Sequence, residues 1–312
     1  MNQSTPSNRV EERFYEIRRA RRIRAVFAGF LFLIVIFLFH RALVMVDMTI
    51  AQYIRYGPQF ISALGEYFPM TTEYGVPLLD VGQYWDFIVE RNLFRQAGIT
   101  LAMGFAGTII GLPFALLFSV LGSGRVMPFP FNFIFRGIMS SIRAIPALVW
   151  ALIYVPLGGV TPFTATMAIA TDTIGNLGRL YTDELEEIES GPIEAIETTG
   201  AGRIQVITFG MLSQVTTPFI AWTLYIFEIN IRIAVALGII GGGGIGHVLA
   251  VQQRLFEYTN MMATILVILV LIISVEMFSQ RVRSHIRADE EPMGFIELLK
   301  GFPERMARAL AK

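Results

Sequence analysis

The sequence predicts an all-α membrane protein built on six transmembrane helices. Of its 312 residues, 54% are hydrophobic and only 16% are charged, against about 25% charged in a soluble domain. Mean hydropathy is +0.57. Apolar windows of about twenty residues, the length that crosses a bilayer as helix, recur along the chain. Formal net charge is zero, so nothing in the overall balance points to nucleic acid or another charged partner. There is no cysteine, which excludes disulfides and thiolate metal sites. His40, His247 and His285 are scattered, without metal-ligand spacing. No GxSxG element is present either, so no catalytic residue, metal or cofactor is expected.

Residues 1–24 are a basic N-terminal tail with Arg9, Arg13, Arg18, Arg19, Arg21, Arg22 and Arg24. Glu11, Glu12 and Glu16 are interleaved, so 10–24 reads equally as a surface-lying helix or a solvated tail. The first span is 25–46. It is too long for a signal-peptide core and shows no clear cleavage site, so an uncleaved anchor is expected. Residues 47–95 form a non-spanning region punctuated by Pro58, Pro69 and Pro77. Its acids (Asp47, Glu66, Glu73, Asp80, Asp86, Glu90) outnumber Arg55, Arg91 and Arg95.

A transmembrane domain is expected over 96–279. The second span, 96–121, carries Gly107 and Gly111 at GxxxG spacing, which lets helices approach closely. The third, 131–156, contains Arg136 and Arg143 and is expected to kink at Pro146. The fourth, 163–178, contains Asp172. The fifth, 216–240, contains Glu228, Asn230 and Arg232; Glu228 and Arg232 are four residues apart and so placed to pair on one helix face. Intramembrane charges are costly and mark either buried pairs or a solute path. Gly241, Gly242, Gly243, Gly244 and Gly246 break the chain after it, 247–260 connects, and 261–278 is the sixth span. The C-terminal tail, 280–312, carries Arg281, Arg283 and Arg287 and ends in an amphipathic stretch, 293–312.

Six spans put both termini on one side. The arginines of the N-tail, Arg125 and the C-tail fall on that side, which the positive-inside rule makes cytoplasmic. The polar loop 181–214 then lies in the cytoplasm and 47–95 outside. The loop holds a short, well-punctuated helix. Gly191 is placed to cap its start, Pro192 suits the first helical position, and Gly200 suits a left-handed stop. Ile193 and Ile196 share one face, with Glu194 and Glu197 nearer the other. A helix this short is marginal alone and needs a surface to dock on.

Gly241, Gly243 and Gly246 satisfy GxGxxG, but they end a membrane span instead of following a strand, so a dinucleotide site is rejected. No GxxxxGK[ST] is present, so the chain cannot itself be an ordinary ATPase.

The loop, through Glu194-Ala195, Thr199-Gly200-Ala201 and Leu212-Ser213-Gln214, resembles the EAA loop of binding-protein-dependent ABC importer permeases. Arg143 to Pro146, the run from Thr173 to Tyr181, Gly191 to Ile196, and Leu224 to Arg232 leading into the glycines are similar to the phosphonate-type permeases, over about residues 95–283. Members of that subfamily often carry proline where Ser213 stands, histidine where Asp172 stands and an acid where Ala147 stands.

The resemblance implies the type I permease architecture in the cytoplasmic (inner) membrane, assembled as a homodimer. Cytoplasmic ATPase subunits would be engaged through Pro192, Glu194, Ala195, Gly200 and Ala201. An extracytoplasmic phosphonate-binding protein would deliver the solute. Arg143, Asp172, Glu228, Asn230 and Arg232 are the candidates for the path or for buried pairs. Phosphite, hypophosphite or phosphate is the alternative cargo, and an ATPase-independent secondary transporter or channel the more distant alternative. No clear internal repeat of the kind secondary transporters show is visible.

Overall fold

The computed structural model describes residues 6–71 and 78–286. Glu73, Pro77, Arg287 and the amphipathic stretch 293–312 lie outside the described residues. The chain divides into two units, Met1–Gly65 and Glu66–Lys312.

The first unit opens with α1, Pro6–Met45. The sequence reading separated a tail from a span, but one helix runs through both. Nothing between 10 and 24 stops it: the stretch is rich in Arg and Glu, which are good helix formers, and holds neither glycine nor proline. Helix α2, Ile50–Tyr67, follows, its last two residues belonging to the second unit, and carries Pro58 within it, so that proline does not end an element as expected.

In the second unit, a two-stranded antiparallel ribbon pairs β1, Met70–Thr71, with β2, Leu78–Leu79. Asp80 then caps α3, Val81–Glu90, by accepting from the Gln83 N–H. Asn92, in the left-handed region at φ 49°, turns the chain into α4, Leu93–Gly122. Next come α5, Phe131–Ala144, and α6, Ala147–Ile153. The expected kink at Pro146 is a right-angled break: the two helices are bent by 90°. A reciprocal cap between Thr161 and Thr164, with Pro162 at the first position, starts α7, Pro162–Glu187. Helix α8, Ser190–Glu197, is followed by a single turn, α9, Arg203–Gln205, and a π-helical stretch, Val206–Met211. Then come α10, Leu212–Leu237, a second π stretch, Gly238–Gly242, α11, Gly244–Leu255, and α12, Tyr258–Ile286. Residues 247–260 are thus mostly helix, where a connection was expected.

By length and composition, four helical stretches among the described residues can cross a membrane: Ile17–Met45, Leu93–Gly122, Arg203–Gly242 and Tyr258–Ile286, or five if the bent α5–α6 pair is one span. Helix α7, where the fourth span was expected, is about 39 Å long at 1.5 Å per residue. Its Asp172, Arg179, Asp183, Glu184, Glu186 and Glu187 keep it out of the apolar set.

Helix α4 packs on α7 through glycine. A Cβ at Gly107 would meet Ile169 Cγ2 at 2.5 Å, and one at Gly111 would meet the Ala170 carbonyl oxygen at 2.6 Å. The close approach expected of the GxxxG pair is present. Met103, Ala165, Ala168, Ile169, Ala234 and Leu237 fill the centre where α4, α7 and α10 meet.

Candidate functional site

Helix α8 starts slightly earlier than its sequence suggests. Ser190 is its first residue and Glu189 the cap, so Pro192 is third instead of first. Proline still fits there, because the first four N–H groups of a helix have no partner within it. The stop is as expected in kind: Gly200 sits at φ +81° and its N–H donates to the Glu197 carbonyl at 3.0 Å. Ile193 and Ile196 are half-buried and turn towards the π stretch, where a Cβ on Gly210 would lie 3.3 Å from Ile196 Cδ1. Pro192, Glu194 and Ala195 stay exposed, and Ala201 is half-buried at the junction to α9.

The segment around α8 is joined to several elements. Glu186, at the end of α7, makes an ion pair with Arg136 of α5 and accepts from the Gly124 N–H at 3.3 Å. Arg125 Nε and Nη2 donate to the Glu186 carbonyl at 3.2 and 3.0 Å. Arg203 donates to the Val126 carbonyl. Gln214 Nε2 donates to the carbonyls of Gly210 at 2.6 Å and Glu189 at 3.4 Å. Between α8 and this framework is a cavity of about 670 Å³, with Glu194 and Glu197 on its wall together with Arg125, Arg203 and Met211. These bonds tie the end of α7, the start of α10, α9 and the α4–α5 turn into one frame around α8, which they reach at its cap, Glu189.

The intramembrane charges pair differently from the sequence reading. Glu228 does not pair with Arg232. Its Oε1 accepts from Arg283 Nη2 of α12 at 2.7 Å, while Arg232 Nη2 lies 3.7 Å from Glu276 Oε2. The reason is the length of α12. The sixth span was expected to end at 278, but the helix runs to Ile286 and carries Arg283 alongside α10. Two cross-helix pairs replace one local pair. The signal was present as Glu276, Ser279 and Arg283 at helical spacing beyond the apolar run.

Asn230 is fully buried and joins three helices, its Nδ2 donating to Thr108 Oγ1 of α4 and Thr173 Oγ1 of α7, both at 2.8 Å. Both hydroxyls donate in turn to carbonyls of their own helices, Gly104 and Ile169. Asp172 is buried and accepts from Asn176 Nδ2 at 2.9 Å. Arg143 is exposed in the last turn of α5 and, among the described residues, has no ion pair. The structure therefore does not bring all five candidates into one cluster.

The glycine break is real. Gly241, Gly243 and Gly244 have φ of +111°, +84° and +66°. A Cβ at Gly244 would lie 2.3 Å from Thr100 Oγ1, the same hydroxyl that accepts the Ile245 N–H at 3.0 Å. A Cβ at Gly242 would lie 2.8 Å from the Leu237 carbonyl oxygen, and one at Gly246 would lie 2.0 Å from that of Val235. The run is a packed corner turning α10 into α11, as expected of a break and not of a nucleotide cradle.

Residues 107–288 match the family described as the binding-protein-dependent transport system inner membrane component. A phosphite transport system permease protein of Stutzerimonas stutzeri is 31% identical over 203 residues, covering 65% of this chain and 74% of the relative. A phosphate-import permease protein of Mycolicibacterium smegmatis is 32% identical over 196 residues, covering 62% of this chain and 37% of that longer protein. Among solved structures, a chain of the inward-facing MetNI methionine ABC transporter superposes with a TM-score of 0.55 at 20% identity, covering 64% of this chain and 96% of that one, a likeness of fold alone. This multi-pass membrane protein thus belongs to the family of binding-protein-dependent transport system inner membrane components, as its loop motifs implied.

Proposed function

We propose that the chain is the permease subunit of an ATP-driven importer of a phosphorus oxyanion, coupled to a separate cytoplasmic ATPase through α8. The observation that carries this reading is α8 itself: a capped helix with Pro192, Glu194 and Ala195 exposed and its apolar side fixed to the ends of the long helices. A partner gripping α8 would move the ends of α7 and α10 and the α4–α5 turn together, because Glu186, Gln214, Arg203 and the Ile193–Ile196 face join them. Six crossings, with α7 as the most polar, both termini in the cytoplasm and two copies per complex complete the proposal. Substrate delivery falls to an external binding protein.

The motif resemblance favours a phosphonate as cargo. The relatives named for phosphite and phosphate support the second reading, in which the same importer carries one of those anions. Uptake measured in cells that rely on this system, with an alkylphosphonate and with phosphite, tests both. ATP-dependent uptake that needs the ATPase and the binding protein is expected. Uptake by the permease alone would refute the importer reading in favour of a secondary transporter or channel. Uptake of phosphite without phosphonate would refute only the choice of cargo.

A further inference from the structure

Helix α2 is strongly amphipathic, and its apolar side is uncovered. Ile50, Ile54, Gly57, Ile61 and Leu64 repeat at helical spacing along one stripe. Ile50, Ile54 and Ile61 are 79%, 73% and 69% exposed. Tyr53 and Phe60 flank the stripe. Gln52, Arg55, Gln59, Ser62 and Glu66 occupy the other side, and the only two charges of the helix, Arg55 and Glu66, both fall there.

The start of α2 adjoins the end of the apolar helix α1 within the first unit, and its last two residues, Glu66 and Tyr67, make their contacts within the second. At its start, four residues, 46–49, separate it from α1. Within them Asp47 turns the chain at φ 53°, and the Met48 N–H donates to the Leu43 carbonyl at 2.9 Å. At its end, Thr259 Oγ1 donates to the Glu66 carbonyl at 2.7 Å, and the Tyr84 hydroxyl donates to the Tyr67 carbonyl at 2.5 Å. The Tyr67 ring lies 5.2 Å from that of Tyr258, the residue that opens α12. A helix that follows an apolar membrane helix after four residues starts at the depth where that helix emerges. Its polar side makes it a poor crossing helix, and its apolar side makes it a poor partner for water.

We propose that α2 lies in the plane of the bilayer surface, with Ile50, Ile54, Ile61 and Leu64 in the acyl region and Arg55, Gln59, Ser62 and Glu66 in water. The partner is a lipid surface, and the attraction is apolar. One arginine and one glutamate cancel, so anionic headgroups add little, and Tyr53 and Tyr56 suit the headgroup level where aromatic side chains collect. The placement rests on α1 and α12 being membrane helices and does not depend on which anion is carried.

Because the chain has no cysteine, single cysteines at Ile54, Gln59, Ile61 and Ser62 can each carry a spin label in the full-length permease assembled with its ATPase. The complex is placed in vesicles of phosphatidylcholine, and separately in phosphatidylethanolamine with phosphatidylglycerol. Collision with oxygen, which partitions into lipid, is compared with collision with a water-soluble nickel chelate. Labels at 54 and 61 should meet oxygen several-fold more than nickel, labels at 59 and 62 the reverse, alike in both vesicles and at high salt. Nickel reaching all four positions would overturn the proposal by showing the helix off the membrane. Shielding of 54 and 61 from both reagents would overturn it by showing a protein cover, either a second copy or the binding protein.

Discussion

Replacing Arg283 by glutamine is expected to destabilise the protein more than replacing Glu228. The Glu228 side chain is 9% exposed and the Arg283 side chain 25% exposed across a 2.7 Å contact. Removing one partner of an enclosed ion pair leaves an uncompensated charge, at a cost of about 3–5 kcal/mol. Arg283→Gln does this to Glu228, which is fixed in the interior of α10. Glu228→Gln instead frees an arginine three residues from the end of α12, and a long side chain there can reach the interface. Its cost falls to that of an imperfectly satisfied group, about 1–3 kcal/mol. The double variant Glu228→Gln with Arg283→Gln should recover most of the loss, since removing both charges is often nearly neutral. Arg232 gives the control. It and Glu276 are 50% and 43% exposed at 3.7 Å, so neither charge is enclosed by the chain. Arg232→Gln should leave stability nearly unchanged, and adding it to Glu228→Gln should rescue nothing. The assay is the yield of protein extracted in detergent and its Tm, with uptake measured beside them. Rescue of Glu228→Gln by Arg232→Gln but not by Arg283→Gln would refute the pairing. A loss of uptake in stable Arg232→Gln protein would place that guanidinium on the solute path.

Gly200→Val forces a β-branched residue into the left-handed region, which costs an ordinary L-residue about 1–2 kcal/mol; a Cβ there meets nothing within 4 Å, so the protein should insert and fold yet lose transport and substrate-stimulated ATP hydrolysis, and undiminished uptake would remove α8 as the coupling element. Glu194→Lys, on the exposed side of α8, should give the same uncoupled result without loss of yield. Gly111→Val should fail at assembly, because its Cβ would press on the backbone oxygen of Ala170, which cannot swing aside as a side-chain tip can, and overpacking costs about 1–3 kcal/mol or more; normal yield would show that α4 and α7 are looser than described. A lone cysteine replacing the exposed Gln83 should react with an impermeant thiol reagent from outside, and one replacing Glu187 only after permeabilisation; the opposite pattern would invert the proposed orientation.

What the sequence made legible was local. A short helix between a cap and a left-handed glycine, a break at a glycine run, a close approach at GxxxG and a proline bend each depend on residues within a few positions, and all four are present. What it hid was set by distance or by a missing stop signal. The partner of Glu228 comes from 55 positions along the chain, and no pattern within α10 could reveal it. The helical nature of 247–255 was masked by the glycines before it, which look like a breaker but only start α11 after a corner. Helix α1 runs through the arginine-rich tail because interleaved charges change solvation, not backbone preference. No sequence pattern marks the hydroxyls of Thr108 and Thr173 as partners of Asn230, although they are the two acceptors that fix it.

These features locate where motion would act. Helix α10 is fastened in its second half, at Asn230, and is followed and preceded by irregular stretches. Asn230 uses both amide hydrogens to hold α10 against α4 and α7, and the glycines of α4 leave no slack on that side. Below this point lies the π stretch 206–211, and above it lie the π stretch 238–242 and the turn at Gly241. A π stretch shifts the helical hydrogen-bond register and often marks a functional site. Helix α8 presses on the lower one through Ile193 and Ile196 at Gly210. Under the proposed coupling, force applied to α8 would reach α10 at the π stretch, while the node at Asn230 would resist translation of the whole helix. The expected response is a tilt of α10 about that node, taken up at the far end by glycines that tolerate positive φ. If α8 takes up force as proposed, the glycine end of α10 would move without α4 and α7 separating, and a strained Gly200 is then expected to abolish coupling while leaving the fold intact.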